Sequence, residues 1–119
     1  MNIETIREYC LKKKGTVETV PFGPDYLVMK VVGKMYILIR LDVNNCITVK
    51  CNPEYAIELR ERYSGIEPAW HFNKKYWNQI WLDRDVDDTF IMNMIDHSYD
   101  EVLKKLSRKE RLIYEGLPG

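Results

Sequence analysis

The chain has 119 residues and a mass of 14.2 kDa, the size of one domain that buries roughly two-thirds of its unfolded surface without metal or disulfide staples. Eighteen lysines and arginines balance 18 aspartates and glutamates, so the formal charge is zero, where a dedicated nucleic-acid binder would show a basic excess. A content of 45% hydrophobic and 30% charged residues is ordinary for a soluble globular protein, and no run approaches the ~20 apolar residues needed to cross a bilayer.

Residues 3–14 are predicted as a helix. Asn2 supplies an N-cap, Ile3, Ile6 and Cys10 share a face, and Lys12, Lys13 and Lys14 suit the negative end of the dipole before Gly15 stops it. The segment 21–25, Pro-Phe-Gly-Pro-Asp, is a rigid loop. Residues 26–32 and 35–41 are β-branched and aromatic runs around Gly33-Lys34, which reads as a two-residue hairpin turn with glycine first. Asn44-Asn45 makes the next turn and 46–51 the third strand. All three runs are apolar on both alternations, which predicts a sheet with much of both faces covered, or a short central one.

Asn52-Pro53-Glu54 combines a capping amide, a proline at the first helical position and an acid in the first turn, and opens a helix to about Tyr63 that stops at Ser64-Gly65. Residues 66–72 and 76–82 read as strands around the turn Asn73-Lys74-Lys75. The acidic segment 83–88 leads into a long helix over 88–106, with Ile91, Met94, Ile95, Val102 and Leu106 at helical spacing. Asp87 and Asp88 at its start and Lys104, Lys105, Arg108 and Lys109 at its end match the macrodipole. The order is α-β-β-β-α-β-β-α, an α+β layer architecture in a single domain over 1–119, its antiparallel sheet packed against helices.

Few residues form recognisable chemical constellations. Asp83-Arg84-Asp85-Val86-Asp87-Asp88 invites a calcium loop, but the sixth position is Asp88 instead of glycine and the twelfth is Met94 instead of glutamate. It reads instead as a helix N-terminus that favours negative charge. His71 and His97 have no ligand-spaced neighbours, and His97 is expected to be a solvated surface residue. There is no nucleophile elbow and no Gly-rich phosphate loop, so no catalytic residue, metal or cofactor is assigned. Cys10, Cys46 and Cys51 form no CxxC; Cys46 and Cys51, five apart in one predicted strand, point to opposite faces. An unpaired set fits a reducing compartment, and the opening Met-Asn-Ile-Glu-Thr has no apolar signal core, so a cytoplasmic location without membrane contact is expected.

The octapeptide His71-Phe72-Asn73-Lys74-Lys75-Tyr76-Trp77-Asn78 stands apart. It holds three aromatics, two lysines and two asparagines, and no carboxylate follows Glu67 until Asp83. Lysines can hold phosphate, amides can bond sugar or base edges, and rings can stack on bases. The same residues could form a hairpin whose aromatics fill a core. Alternation along this strand puts Lys75, Trp77, Gln79 and Trp81 on one face and Tyr76, Asn78, Ile80 and Leu82 on the other. Either face, if open, is a recognition surface of aromatics beside amides.

Together, Pro21-Phe22-Gly23, Gly33-Lys34-Met35, Lys50-Cys51-Asn52-Pro53-Glu54, Tyr63-Ser64-Gly65-Ile66, the octapeptide itself and Ile95-Asp96-His97-Ser98-Tyr99-Asp100 resemble the MmcQ/YjbR family, in order over about residues 3–110. Tyr76 stands where the family commonly has histidine, and Trp70 where a smaller or different aromatic residue is usual. The resemblance implies a CyaY-like fold, α-β(3)-α-β(2)-α, related to the secretion-chaperone fold. It also implies a non-enzymatic DNA-binding protein whose two hairpins act as a double wing, with tips at Gly33-Lys34 and Asn73-Lys74-Lys75. On that reading Lys34, Lys74 and Lys75 neutralise phosphates of double-stranded DNA, and Asn73 and Asn78 bond sugar or base edges. Trp77 stacks or wedges, and His71 completes the set. The alternative is a protein-interaction or regulatory module that uses the Trp- and Asn-bearing sheet face. The iron handling of the frataxin relatives has no acidic ridge here, since the first helix holds Glu4 and Glu8 among Arg7, Lys12, Lys13 and Lys14.

Overall fold

Asn2 opens α1 (Ile3–Leu11) by accepting the Thr5 amide at 2.8 Å, as its position before an apolar helical stripe demands. The computed structural model describes residues 1–42 and 45–119. The helix closes earlier than expected, with Lys12 as its C-cap, and Gly15 turns the chain at a φ of 73° where an added Cβ would meet Leu117. There the sequence reading missed a strand, β1 (Thr16–Thr19), whose β-branched threonines and valine pair with β2 (Tyr26–Val31). β3 (Lys34–Arg40) and β4 (Cys46–Lys50) follow, then α2 (Pro53–Arg62). Asn52 caps α2 through the Glu54 and Tyr55 amides at 3.1 and 3.2 Å. β5 (Ile66–Pro68) and β6 (Trp77–Trp81) complete an antiparallel sheet of order β1-β2-β3-β4-β6-β5.

The β2–β3 turn differs in detail from expectation. Val31 pairs with Lys34, so Val32 and Gly33 are the central residues, with φ of 48° and 73°, the type I′ geometry that matches strand twist. The register shifts by one between Met29 and Lys30. Tyr36 is the extra residue on β3, and this bulge turns both Tyr36 and Ile37 toward the helices. The Tyr36 hydroxyl donates to the Cys10 carbonyl at 3.2 Å and lies 2.8 Å from the Thr16 hydroxyl. Of the expected turn at Asn44-Asn45, Asn44 lies outside the described residues; Asn45 has the left-handed φ of 67° that asparagine tolerates.

The two faces of the sheet are covered by different means. Leu27, Met29, Val31, Ile37, Ile39, Ile47, Val49, Ile66 and Ile80 form the core with the helices. On the other face a row runs straight across the sheet, Val28–Leu38–Thr48–Gln79–Glu67, in register on five strands. Val28, Leu38, Thr48 and Gln79 are buried too, the last three beside Phe22 of the 20–25 loop and Trp70, His71 and Phe72 of the segment before β6. The double apolarity of the strands therefore reflects helices on one side and loops on the other.

The strand expected at 66–72 stops at Pro68, which has no N–H for the ladder, and residues 69–76 form a longer connection. The helix expected at 88–106 is two helices: α3 (Asp88–Lys104), capped by Asp87 accepting from Phe90 N, and α4 (Arg108–Glu115). Ser107 and Glu110 form a capping box at the start of α4, bonding each other's backbone amides at 3.1 and 2.8 Å.

Four consecutive residues of α3 tie the layers together. Asp96 accepts from the Tyr9 hydroxyl at 2.6 Å and from Lys13 Nζ at 2.5 Å. Ser98 Oγ accepts from Lys50 N at 2.8 Å and donates to the Tyr36 carbonyl at 2.5 Å. The Tyr99 hydroxyl donates to the Lys14 carbonyl at 2.5 Å and lies 3.0 Å from that of Tyr114. His97, expected to be solvated, is instead half-buried: its Nε2 accepts the Asn52 amide at 3.2 Å and its ring meets Tyr55 edge-on at 5.4 Å. Burial holds its pKa below the ordinary histidine value.

Candidate functional site

Antiparallel pairing brings the β2–β3 turn, the end of β4 and the start of β6 to one end of the sheet, where the last turn of α3 also arrives. A cleft of about 280 Å³ opens there, lined by Lys34, Met35, Lys50, Trp77, Val102 and Lys105. Lys50 and Trp77 face each other in register. The Lys50 pKa is lowered, first by burial and then by the charge of Lys105, with Lys34 adding to it; nearby Glu101 opposes the shift. Three ammonium groups from three elements thus share one concavity, the electrostatic form of an anion site. Lys34 is partly engaged, 3.4 Å from Glu110.

Of the residues expected to act together, Lys34 and Trp77 line this cleft. Asn73, Lys74 and Lys75 are exposed on the connection that enters β6 at the same end of the sheet. Asn73 accepts the Lys75 amide on its side chain at 3.0 Å, and its carbonyl accepts from Tyr76 N and Trp77 N, each at 3.0 Å. It is a turn-former as well as a surface amide. Lys74 Nζ lies 5.5 Å from the centre of the Trp70 ring and Lys75 Nζ 5.5 Å from that of Tyr76.

Asn78 does not reach the surface. It is 1% exposed, on the helix side of β6, donating to the Ala56 carbonyl at 3.3 Å and accepting from Arg60 Nε at 2.6 Å. A contact to nucleic acid is closed to it, because alternation that sends Trp77 out sends Asn78 in. Arg60 also donates to the carbonyls of Lys74 and Trp77, so it fastens the whole connection to α2. Lys50, Lys105 and Arg60 escaped the sequence reading because each belongs to a different element, and only the tertiary fold brings them to the octapeptide.

His71 stands apart from the lysines, at a second cleft of about 280 Å³ on the helix-free face. Leu38, Thr48 and Gln79, adjacent in register, form its floor. Phe22, Trp70 and Phe72 wall it, and Arg40 and His71 lie at its edge. Trp70 and Phe22 are 69% and 59% exposed, and Lys74 Nζ lies over one face of the Trp70 ring. Phe72 packs on Trp77 with centroids 5.5 Å apart, and this ring pair separates the aromatic cleft from the lysine cleft.

A family model described as YjbR matches residues 11–101. This chain belongs to the YjbR family. The uncharacterised Escherichia coli K12 protein YjbR is 28% identical over 113 residues, covering 93% of this chain and 95% of that one. YbdF of Escherichia coli O157:H7 is 27% identical over 92 residues, 76% of this chain and 75% of that one. The crystal structure of Deinococcus radiodurans protein DR2400, with the domain DUF419, superposes with a TM-score of 0.87 at 32% identity, covering 98% and 89% of the two chains. A Pseudomonas syringae crystal structure gives 0.72 at 29% identity, over 85% and 98%. The α+β fold expected from the resemblance holds, and on this YjbR-family chain it carries β1 and α4 in addition.

Asp85 and the cysteines have structural surroundings. Asp85 accepts the Ser64 and Gly65 amides, each at 2.8 Å, and these bonds, Gly65's first, hold its pKa below the carboxylate range. The three cysteines are free and buried; burial pushes the Cys10 and Cys46 thiols up to about 11 and Cys51 to about 12, so none is a thiolate near neutrality. Among the described residues no three His, Cys, Asp or Glu side chains cluster as metal ligands, and no helix is long and apolar enough to cross a membrane.

Proposed function

We propose that this YjbR-family chain is a non-enzymatic cytoplasmic binding module that holds the phosphate backbone of double-stranded DNA at the lysine end of its sheet. The observation that carries the reading is the convergence of Lys34, Lys50 and Lys105 on one cleft beside Trp77. The exposed Lys74 and Lys75 lie at the same end of the sheet. Burial is the first cause of the lowered Lys50 pKa and the charges of Lys105 and Lys34 add to it; an anion there offsets both. Lysines are flexible point charges, and this chemistry fits backbone contact in place of base readout. With zero net charge the binding is weak and local, because no long-range basic field supports it.

The protein-interaction reading has less to rest on. Trp77 and Trp81 are half-buried, the Trp81 indole N–H is donated to Glu67 with Arg84 lying 4.9 Å from the ring centre, and Asn78 faces the helices.

Tryptophan fluorescence titrated with mixed-sequence duplex DNA tests the proposal. Contact with about four phosphates gives a slope of about −3.6 in log K against log salt. The double variant Lys50→Ala/Lys105→Ala loses binding while keeping its melting temperature. A flat titration at ~50 mM salt, where such contacts are strongest, overturns the reading, as does binding that survives the double variant.

A further inference from the structure

We infer that the aromatic cleft on the helix-free face is a binding site for one unpaired nucleobase, carried by a free nucleotide or a single strand. The site is separate from the lysine cleft, and the inference does not rest on the duplex-DNA reading.

The argument starts at the floor. Thr48 and Gln79 are only 3% and 5% exposed; the Thr48 hydroxyl and the Gln79 carbonyl oxygen have no hydrogen-bond partner among the described residues and are not fully enclosed, so a guest in the cleft meets them in place of water. Gln79 Nε2 has only a long contact, 3.5 Å, to Glu67. Polar groups left unpaired under a purely apolar guest cost about 1–3 kcal/mol each. A hydrocarbon side chain seated here would impose that cost; a ring with donors and acceptors along one edge removes it. The two groups sit on neighbouring paired strands, ~5 Å apart, the scale of one ring edge.

The walls supply the other half of base recognition. Trp70 and Phe22 are the two most exposed aromatics of the chain's large hydrophobic residues, and they flank the cleft with Phe72. Stacking on such rings is tolerant of sequence and available to any base. The volume, about 280 Å³, lies at the small end of ligand pockets, which suits one ring system and not a dinucleotide. Arg40 at the edge is already shared with Asp42, at 3.4 Å, so the site selects the ring and leaves an attached phosphate at most a weak contact.

Proton–nitrogen NMR spectra of the intact chain, titrated with adenosine, cytidine, guanosine and uridine to ~5 mM, test this at the affinity expected of a single stacked base. At least one nucleoside shifts the Thr48 and Gln79 amides and the Trp70 indole saturably. Trp70→Ala weakens it about tenfold without lowering thermal stability. Thr48→Val, which keeps shape and removes the hydroxyl, weakens it at least about fivefold. A single-stranded hexamer that binds tenfold tighter than the best mononucleotide identifies a strand as the source; equal affinity identifies the free nucleotide. Lys50→Ala/Lys105→Ala leaves nucleoside binding unchanged whatever it does to duplex. The inference is overturned if no nucleoside moves these signals. It is equally overturned if indole binds as tightly as the best nucleoside and Thr48→Val has no effect, since the cleft would then be an apolar seat for a partner protein's side chain.

Discussion

Arg60 is the side chain on which the connection before β6 hangs. Its guanidinium reaches the Asn78 carboxamide and the backbone carbonyls of Lys74 and Trp77, and burial lowers its pKa. Asn78 completes the clasp by donating to Ala56 in α2. Removing one partner of a buried hydrogen-bonded group leaves the other unsatisfied. Asn78→Ala should therefore destabilise the fold by ~1–3 kcal/mol in urea titration, with an unchanged m-value. An unaltered midpoint would show that the clasp contributes nothing. The sequence made one part of this visible: a period of two separated Trp77, Gln79 and Trp81 from Asn78 and Ile80. It could not say which set met the helices, because each set mixes apolar and polar residues, and only the paired strands β4 and β5 decide it.

At the level of elements, the strongest local chemistry was the most legible. Asn2 and Asn52 cap α1 and α2 as their positions announce, and Asp87 caps α3. Ser107-x-x-Glu110 carried the same kind of announcement and went unread, because the helical spacing of Val102 and Leu106 ran into it and the surrounding cations read as a helix end. β1 escaped for a different reason. Its four residues are no more than half-buried, so it shows no apolar signal strong enough to outweigh the glycine and prolines on either side. The capping box gives a test at this scale. Ser107→Ala should cost about 1 kcal/mol of local stability, read as faster amide exchange confined to α4. The Glu110 pKa is lowered, chiefly by the Ser107 amide it accepts. The cap's contribution is therefore present above the ordinary glutamate value, ~4.3, and is lost as pH falls through the lower folded-state value.

Across the whole molecule, the two sheet faces divide the labour. Helices on one side make the core and, with the last turn of α3, frame the lysine cleft at one end of the sheet; loops on the other side frame the aromatic cleft, beyond the Phe72–Trp77 pair. Neither concavity was legible in the chain, since one depends on where the 20–25 and 69–76 segments lie over the sheet and the other on where the end of α3 meets β3, β4 and β6. Global stability carries its own pH signature through His97. Its folded pKa is depressed, so the neutral imidazole that accepts the Asn52 amide is favoured by folding. Stability should be full above the unfolded value of ~6.5 and should decline as pH falls below it toward the folded value. His97→Gln, which keeps an acceptor, should flatten that decline in melts between about pH 7 and 5. The four anchoring residues 96–99 also bear on how the chain is made. The Tyr9–Asp96, Lys13–Asp96 and Lys14–Tyr99 bonds join residues 87, 83 and 85 apart in sequence. On a translating ribosome α1 and the first four strands emerge with no α3 to seal them, and their apolar faces wait for the last quarter of the chain. Closure of the core in the native arrangement therefore waits until residues 96–99 are available to it.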